Sequence, residues 1–397
     1  MQAKNMSMSP EFSGFLDFVR WVAALLVVLH HWRHLWFSDL ADVTNKTLLI
    51  RVFYFFTGFG TEAVMVFFVL SGFLVGGGAL RKFRTRSYSP LDYMISRFSR
   101  IYTVLVPALI LGGLLDWIGL QYFNSTEIYT NAPRYHTKSL GFVITDNLNI
   151  MTFLSNLFDL QGILTKHFGS NIPLWSLSFE WWFYCLFALI LDIITRRYTD
   201  LIFWLSGLVG VILILVFPIK LSLYFLIWLL GVSVASIDSN RFRFNPYVSL
   251  IIFVLLSAGS RLSRILFDAH QNDPVYFYLG FIEDFIVAMG FAALILSVRS
   301  TQKTVPGSLA FHKVMADFSF TIYLLHVPLL VFITAILSSN FGVPFFVQPT
   351  LQHFLISGLI LLLIYVILFI YSQFTERFTP NVKNYLTRTI ISIRKVS

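Results

Sequence analysis

Long apolar stretches recur along the whole of this 397-residue chain, at about 15–37, 52–78, 101–120, 174–194, 201–217, 221–237, 247–265, 278–298, 317–338 and 351–373. Each approaches the roughly 20 residues that a helix needs to cross a hydrocarbon layer about 30 Å thick. Lipid offers the backbone no hydrogen bonds, so such stretches must satisfy themselves as helices. The expected fold is an all-α polytopic membrane protein, a single bundle of about ten transmembrane helices. Only 12% of residues are charged and 57% are hydrophobic, whereas a soluble domain carries about 25% charge. One membrane domain is expected to fill residues 1–397, with tails at 1–14 and 374–397 and no appended soluble domain.

The formal net charge of +9 raises the question of nucleic acid, and the positions of the charges answer it. The segment after the second stretch, RKFRTRSYSPLDYMISRFSR, holds Arg81, Lys82, Arg84, Arg86, Arg97 and Arg100 against Asp92 alone. Cytoplasmic loops carry such excess, so this segment is expected inside. Arg196 and Arg197, then Arg241 and Arg243, then Arg299, Lys303 and Lys313, and a tail with Lys383, Arg388, Arg394 and Lys395 follow on every second connection. Both termini are therefore expected in the cytosol, in a multi-pass cytoplasmic (inner) membrane protein surrounded by membrane lipids. Nucleic acid drops out as a partner. Arg33, Lys46 and Arg51, and Arg261 and Arg264, are exceptions on the opposite side. The polar opening MQAKNMSMSPEFSG lacks the features of a cleaved signal peptide. The single cysteine, Cys185, rules out a disulfide framework or a cysteine-rich metal site.

Ionisable side chains inside a span are costly and mark function when they lie deep. The first helix, RWVAALLVVLHH, carries Arg20 in its inner half and His31 eleven residues later, about 16 Å nearer the outside. A snorkelling arginine and a histidine pair at a tilted helix end would produce the same pattern. Adjacent His30 and His31 point about 100° apart and cannot share a metal; His31 and His34, one turn apart, could, but no carboxylate or thiol stands near them in sequence to complete a site, so no metal site is expected. NIPLWSLSFEWWFYCLF places Glu180 among Trp175, Ser178, Trp181, Trp182 and Tyr184, either as part of an interfacial aromatic belt or as a carboxylate that orients His31 as a general base. Arg97 and Arg100 lie one turn apart and suit a polyanion such as phosphate. Ser71, Gly72 and the Gly76–Gly77–Gly78 run fit close helix packing as well as a pocket. His326, ahead of Pro328, fits a satisfied bundle histidine better than a catalytic one, and Glu283, Asp284 and Asp317 are expected at interfaces. The polar, aromatic segment 121–173 is placed to cap a site on the outer face.

FLDFVRWVAALLVVLHHW, VFFVLSGFLVG, RFSRIYTVLVP, PLWSLSFEWWFY, YFLIWLLGVSVA and SFTIYLLHVPLL, in this order, resemble the acyltransferase-3 family of membrane O-acyltransferases that modify bacterial surface and secreted glycans. The resemblance covers nearly the whole chain. It implies an active site at the Arg–ten residues–His spacing, which lands on Arg20 and His31, with Glu180 as the acidic residue after Trp-Ser-Leu-Ser. It implies donor binding at Arg97, Arg100 and Tyr102 and a pocket that includes His30, Ser71, Trp175, Ser178, Tyr184 and His326. The implied donor substrate is an acyl coenzyme A, acetyl-CoA foremost, with no bound cofactor; the acceptor is a glycan, free or lipid-linked, such as an O-antigen or exopolysaccharide. His30 stands where the family usually has an aromatic, Thr103 where it has a proline and Ser96 where it has the first of two arginines. Transfer through an acyl-histidine and direct transfer both fit. A transporter of glycans or lipid-linked sugars and a non-catalytic export component are the rival classes, but the first would be expected to show inverted internal repeats, and none is visible, and the second would not require deep ionisable residues.

Overall fold

The computed structural model describes residues 8–135, 140–195, 200–238, 244–267, 274–301 and 305–396. Arg196, Arg197, Arg241, Arg243 and Lys303, on which part of the expected orientation rests, lie outside the described residues. The helices are α1 (Pro10–Trp36), α2 (Leu48–Phe56), α3 (Gly60–Ser71), α4 (Gly77–Arg84), α5 (Pro90–Tyr122), α6 (Ile150–Leu157), α7 (Leu174–Thr195) and α8 (Leu201–Val216). They continue with α9 (Ile219–Ser236), α10 (Pro246–Leu266), α11 (Pro274–Thr301), α12 (Leu309–Asp317), α13 (Ser319–Phe341), α14 (Leu351–Ser372) and α15 (Thr379–Val396). Among the described residues nine helical segments are long and apolar enough to cross a membrane, with α2–α4 counted as one, and α8 contains a shorter apolar helix. The chain is a multi-pass membrane protein.

The bundle has two distinguishable ends. At the loop end, Phe37 pairs with Val347, and Ser125 bonds Ser339 across 2.9 Å, so segment 121–173 and the α13–α14 connection share this end. At the terminal end, α1 packs against α12, with Trp21 Nε1 donating to His312 Nδ1 at 3.2 Å, and α15 packs along α5. Residues 374–397, expected as a tail, are therefore mostly a helix that belongs to the bundle.

Local chemistry explains the long helices. Ser9 caps α1 ahead of Pro10, and Ser89 caps α5 ahead of Pro90; a capping hydroxyl takes an orphan N–H while proline at the first position loses none. The stretch expected at 52–78 is not one regular helix. It breaks at residues 57–59 and widens into a π segment at Gly72–Gly76. There the chain lies directly on α9: a Cβ on Gly72 would sit 1.9 Å from the Trp228 carbonyl oxygen, and one on Gly231 would sit 2.1 Å from that of Val69. Small residues allow this backbone approach, and π segments recur at functional sites. α13 is the most buried span and packs against α1, α5 and α14.

Candidate functional site: two cavities joined by a histidine stack

A cavity of about 980 Å³ opens at the terminal end and rises between α1, α3, α5, α7 and α13. Its lining brings together six residues singled out from sequence: Arg20, Ser71, Arg97, Arg100, Glu180 and Tyr184. The arginines line it together with Glu376, Arg377 and Lys383 from the C-terminal segment. Arg100 pairs with the buried carboxylate of Glu376 at 2.8 Å, which also accepts from Thr321 N and Oγ1 at 3.0 Å each. Arg97 bonds Ser96 and lies 5.8 Å from the Tyr184 ring, and Arg20 pairs with Asp17 at 3.4 Å.

Deeper in, the polar groups form a directed chain. Trp228 Nε1 donates to Ser71 Oγ at 3.1 Å, Ser71 Oγ lies 3.0 Å from Tyr184 Oη, and Tyr184 Oη bonds a Glu180 oxygen. A carboxylate only accepts, so Tyr184 donates to Glu180 and Ser71 donates to Tyr184. Successive donation polarises each bond toward Glu180 and steadies a carboxylate about 9 Å from the start of α7. Glu180 thus stands in the same cavity as the arginines.

Tyr323 closes this cavity, with its hydroxyl bonded to Ser176. Its ring centroid lies 6.3 Å from that of His326, and His326 lies 5.3 Å from His31. His31 in turn lies 5.3 Å from His30, which packs 4.3 Å from His34. His326 is 1% exposed, and its Nδ1 sits 2.9 Å and 3.0 Å from the carbonyl oxygens of Ile322 and Tyr323. Only a donor fits between two carbonyls, so Nδ1 carries the proton and Nε2 is the basic nitrogen; Nε2 is buried and meets no hydrogen-bond donor. Gly60 makes room for the stack, because a Cβ there would lie 2.7 Å from the His30 ring.

On the other side of the stack, a cavity of about 1270 Å³ opens at the loop end. His30 lines it, together with Arg33, Lys46, Arg51, Lys220, Arg261 and Arg264. The basic residues that broke the expected charge rule thus share one wall. Asp284, expected at an interface, is 1% exposed: it binds Arg264 at 2.6 Å and accepts from Tyr224 Oη at 2.7 Å, while buried Glu62 stands 3.5 Å from Arg264. Glu62 and Lys220 carried no signal in sequence beyond their charge.

Three of the expected residues hold structure instead of lining the terminal-end cavity. Tyr102 is stacked between Phe98, 4.2 Å away, and Trp181, 5.3 Å away. Ser178 donates to the Asp159 carbonyl at 2.7 Å, as does Trp182 Nε1 at 2.8 Å. Trp175 offers its ring to the Lys220 ammonium, 4.7 Å from the centroid. The Asp159 contacts show that segment 121–173 does more than cover the loop end. Residues 158–173 dip into the bundle to the level of Trp182, about 12 Å below the start of α7. Asp116 of α5 anchors the returning strand through Ser170 N at 2.7 Å and Ser170 Oγ at 2.8 Å. Gly169, at φ +56°, lies so near that a Cβ would meet Asp116 at 2.2 Å. Burial pushes the Asp159 carboxyl up to about 7 and the His167 imidazole down to about 4.

The chain is 27% identical over 173 residues to an O-acetyl transferase of Shigella phage Sf6, a match that covers 42% of this chain and 43% of that protein. It thus spans less than half the length of that relative. No solved structure matches. The family profile described as an acyltransferase domain matches residues 13–371, which takes in the whole lining of the loop-end cavity and that of the terminal-end cavity except its C-terminal residues. The chain belongs to the acyltransferase-3 family.

Proposed function

We propose that this protein moves an acyl group, acetyl in the first instance, from coenzyme A in the cytosol to a hydroxyl of a surface or secreted glycan on the opposite side of the membrane. One observation carries the proposal: a single cavity links Arg20, Arg97 and Arg100 to Glu180, Tyr184 and Ser71 and ends at Tyr323, one ring away from His326 and His31. Guanidinium groups at the open part suit the phosphates of a nucleotide head. The polar groups deeper in, Glu180, Tyr184 and Ser71, would lie along an extended acylated arm. In this proposal the terminal end faces the cytosol.

The acceptor approaches from the loop-end cavity, on the far side of the histidine stack. His31 takes the proton of the acceptor hydroxyl as its oxygen adds to the thioester carbonyl. The carbon–sulfur bond then breaks, an ester forms, and the departing thiolate recovers the proton from the imidazolium. His326, with a fixed tautomer and a basic Nε2, supports the charge that His31 acquires. Glu180, hydrogen-bonded by Tyr184, stands in the donor cavity beside the arginines.

The test is two-sided. Surface polysaccharide from a deletion strain complemented with the wild type should carry acyl esters by mass spectrometry, and polysaccharide from one complemented with His31→Ala should lack them. Cysteines placed at Ser87 and Ser308 should label only from the cytosol, and one at Ser125 only from outside. Reversed labelling would overturn the donor side, and unaltered glycan would overturn the activity.

A further inference from the structure

The loop-end cavity carries six cationic side chains, those of Arg33, Lys46, Arg51, Lys220, Arg261 and Arg264, against three carboxylates. Arg264 is accounted for by Glu62 and Asp284. Arg33 and Lys220 are not. Arg33 is 2% exposed, its guanidinium lies 5.0 Å from the centre of the Tyr54 ring and bonds His34 at 2.6 Å, and its Nε meets no acceptor. Lys220 rests on the faces of Trp175 and Tyr224, 4.7 Å and 5.7 Å from their centroids, with no carboxylate of the described residues in ion-pair range. It also occupies the first turn of α9, where the helix dipole is positive and a cation is disfavoured. Aromatic faces offset only part of the cost of drying a charge. Both cations line the same cavity, and among the described residues neither makes an ion pair with a carboxylate.

Building on the acyl transfer proposed above, we infer that the loop-end cavity is the acceptor site and that its acceptor is anionic: a glycan that presents a phosphate or a carboxylate to Arg33 and Lys220 while its hydroxyl reaches His31. A neutral sugar would bring no negative charge to Arg33, which is 2% exposed, or to Lys220. The same pair of cations would orient the acceptor, since an oxyanion held by a guanidinium has a preferred direction.

The experiment uses the full-length protein in phosphatidylcholine nanodiscs, with thermal stabilisation as the readout and inorganic pyrophosphate, glucuronate and glucose as probes. Pyrophosphate or glucuronate should raise the melting temperature and glucose should not; pyrophosphate alone would mark a phosphate-bearing acceptor, glucuronate alone an acidic sugar. The stabilising acid should bind about tenfold or more weakly to Lys220→Gln and to Arg33→Gln, and should keep its effect in Arg97→Gln. Coenzyme A binding in the same samples should follow the opposite pattern. This shows that the variants are folded and separates a failure of the donor assignment from a failure of this one. Equal stabilisation by glucose, no response to either acid, an acid response that survives both substitutions, or a response to phosphatidylglycerol discs alone would each overturn the anionic acceptor.

Discussion

The two cavities are both cationic, yet their charges are held in opposite ways. At the terminal end Arg20 and Arg100 pair with Asp17 and Glu376, and their side chains keep 27% and 36% exposure. At the loop end Arg33 is buried and Lys220 half-buried, resting on aromatic rings, while the nearby carboxylates serve Arg264. The Arg20–Asp17 pair is partly open to solvent on both sides and so costs little to open, whereas Glu376 is buried and held by Thr321 as well as by Arg100. Dry, unpaired cations gain most from a ligand, which favours selection of the acceptor. Between them runs the histidine stack of His30, His31 and His326.

The strongest break in this division is at His31. His31→Ala should reduce transfer about a hundredfold to ten-thousandfold in an assay with radiolabelled acetyl-CoA, while the donor still binds. His30→Phe should retain most activity, because the family usually has an aromatic there. Were His30 the lethal position and His31→Ala active, the base would belong to the loop-end wall and the two sides would not be separated by the stack as described.

A smaller effect sharpens the donor side. Arg97→Gln should raise the KM for acyl coenzyme A about ten- to hundredfold with less change in kcat, and Arg97→Lys should lose less, since it keeps charge without the fork. Arg100→Gln combines two effects, because it also strips Glu376 of its partner. Losing a partner of a buried pair costs about 3–5 kcal/mol, and less here because Arg100 is a third exposed. An equal rise in acceptor KM for Arg97→Gln would erase the distinction between the cavities.

The smallest effects concern the re-entrant segment that joins the loop end to the core. Asp116→Ala removes both acceptors from Ser170 and should destabilise the segment by about 1–3 kcal/mol, visible as faster hydrogen exchange at 158–173. The Asp159 carboxyl is raised from 3.8 to about 7, so the folded state binds more protons than the unfolded chain across that window. Its contribution is full below pH 3.8 and is lost as the pH rises toward 7. His167, lowered to about 4, works the other way: it is buried neutral, and stability falls as pH drops from 6.5 to 4. The wild type should therefore show a flattened profile over the shared window, and the melting temperature of Asp159→Asn minus that of wild type should rise with pH. A constant difference would show that Asp159 titrates normally.

The helical segments, their number to within one, and the arginines that line the terminal-end cavity were legible in the sequence for one reason. A membrane helix is a local object whose length, caps and out-of-place charges are written in consecutive residues, as at Ser9–Pro10 and Arg97–Arg100. Tyr102 and Ser178 were expected at the pocket because they flank such residues; the face on which each side chain stands set them against Trp181 and the Asp159 carbonyl instead.

What the sequence by itself determined is thus an all-helical membrane bundle with ionisable residues at chosen depths in α1, α5 and α7. Tertiary structure alone decided which of them meet. The Trp228–Ser71–Tyr184–Glu180 chain joins three separate helical segments, Asp116 finds Ser170 across 54 positions, and Glu376 reaches Arg100 from a segment that reads as a tail. Such partners are chosen by the burial of polar groups with no other acceptor, a condition that exists only once the helices have packed. For the same reason the basic residues Arg33, Lys220 and Arg261 lie apart along the chain and come together as one cavity wall only in the folded bundle.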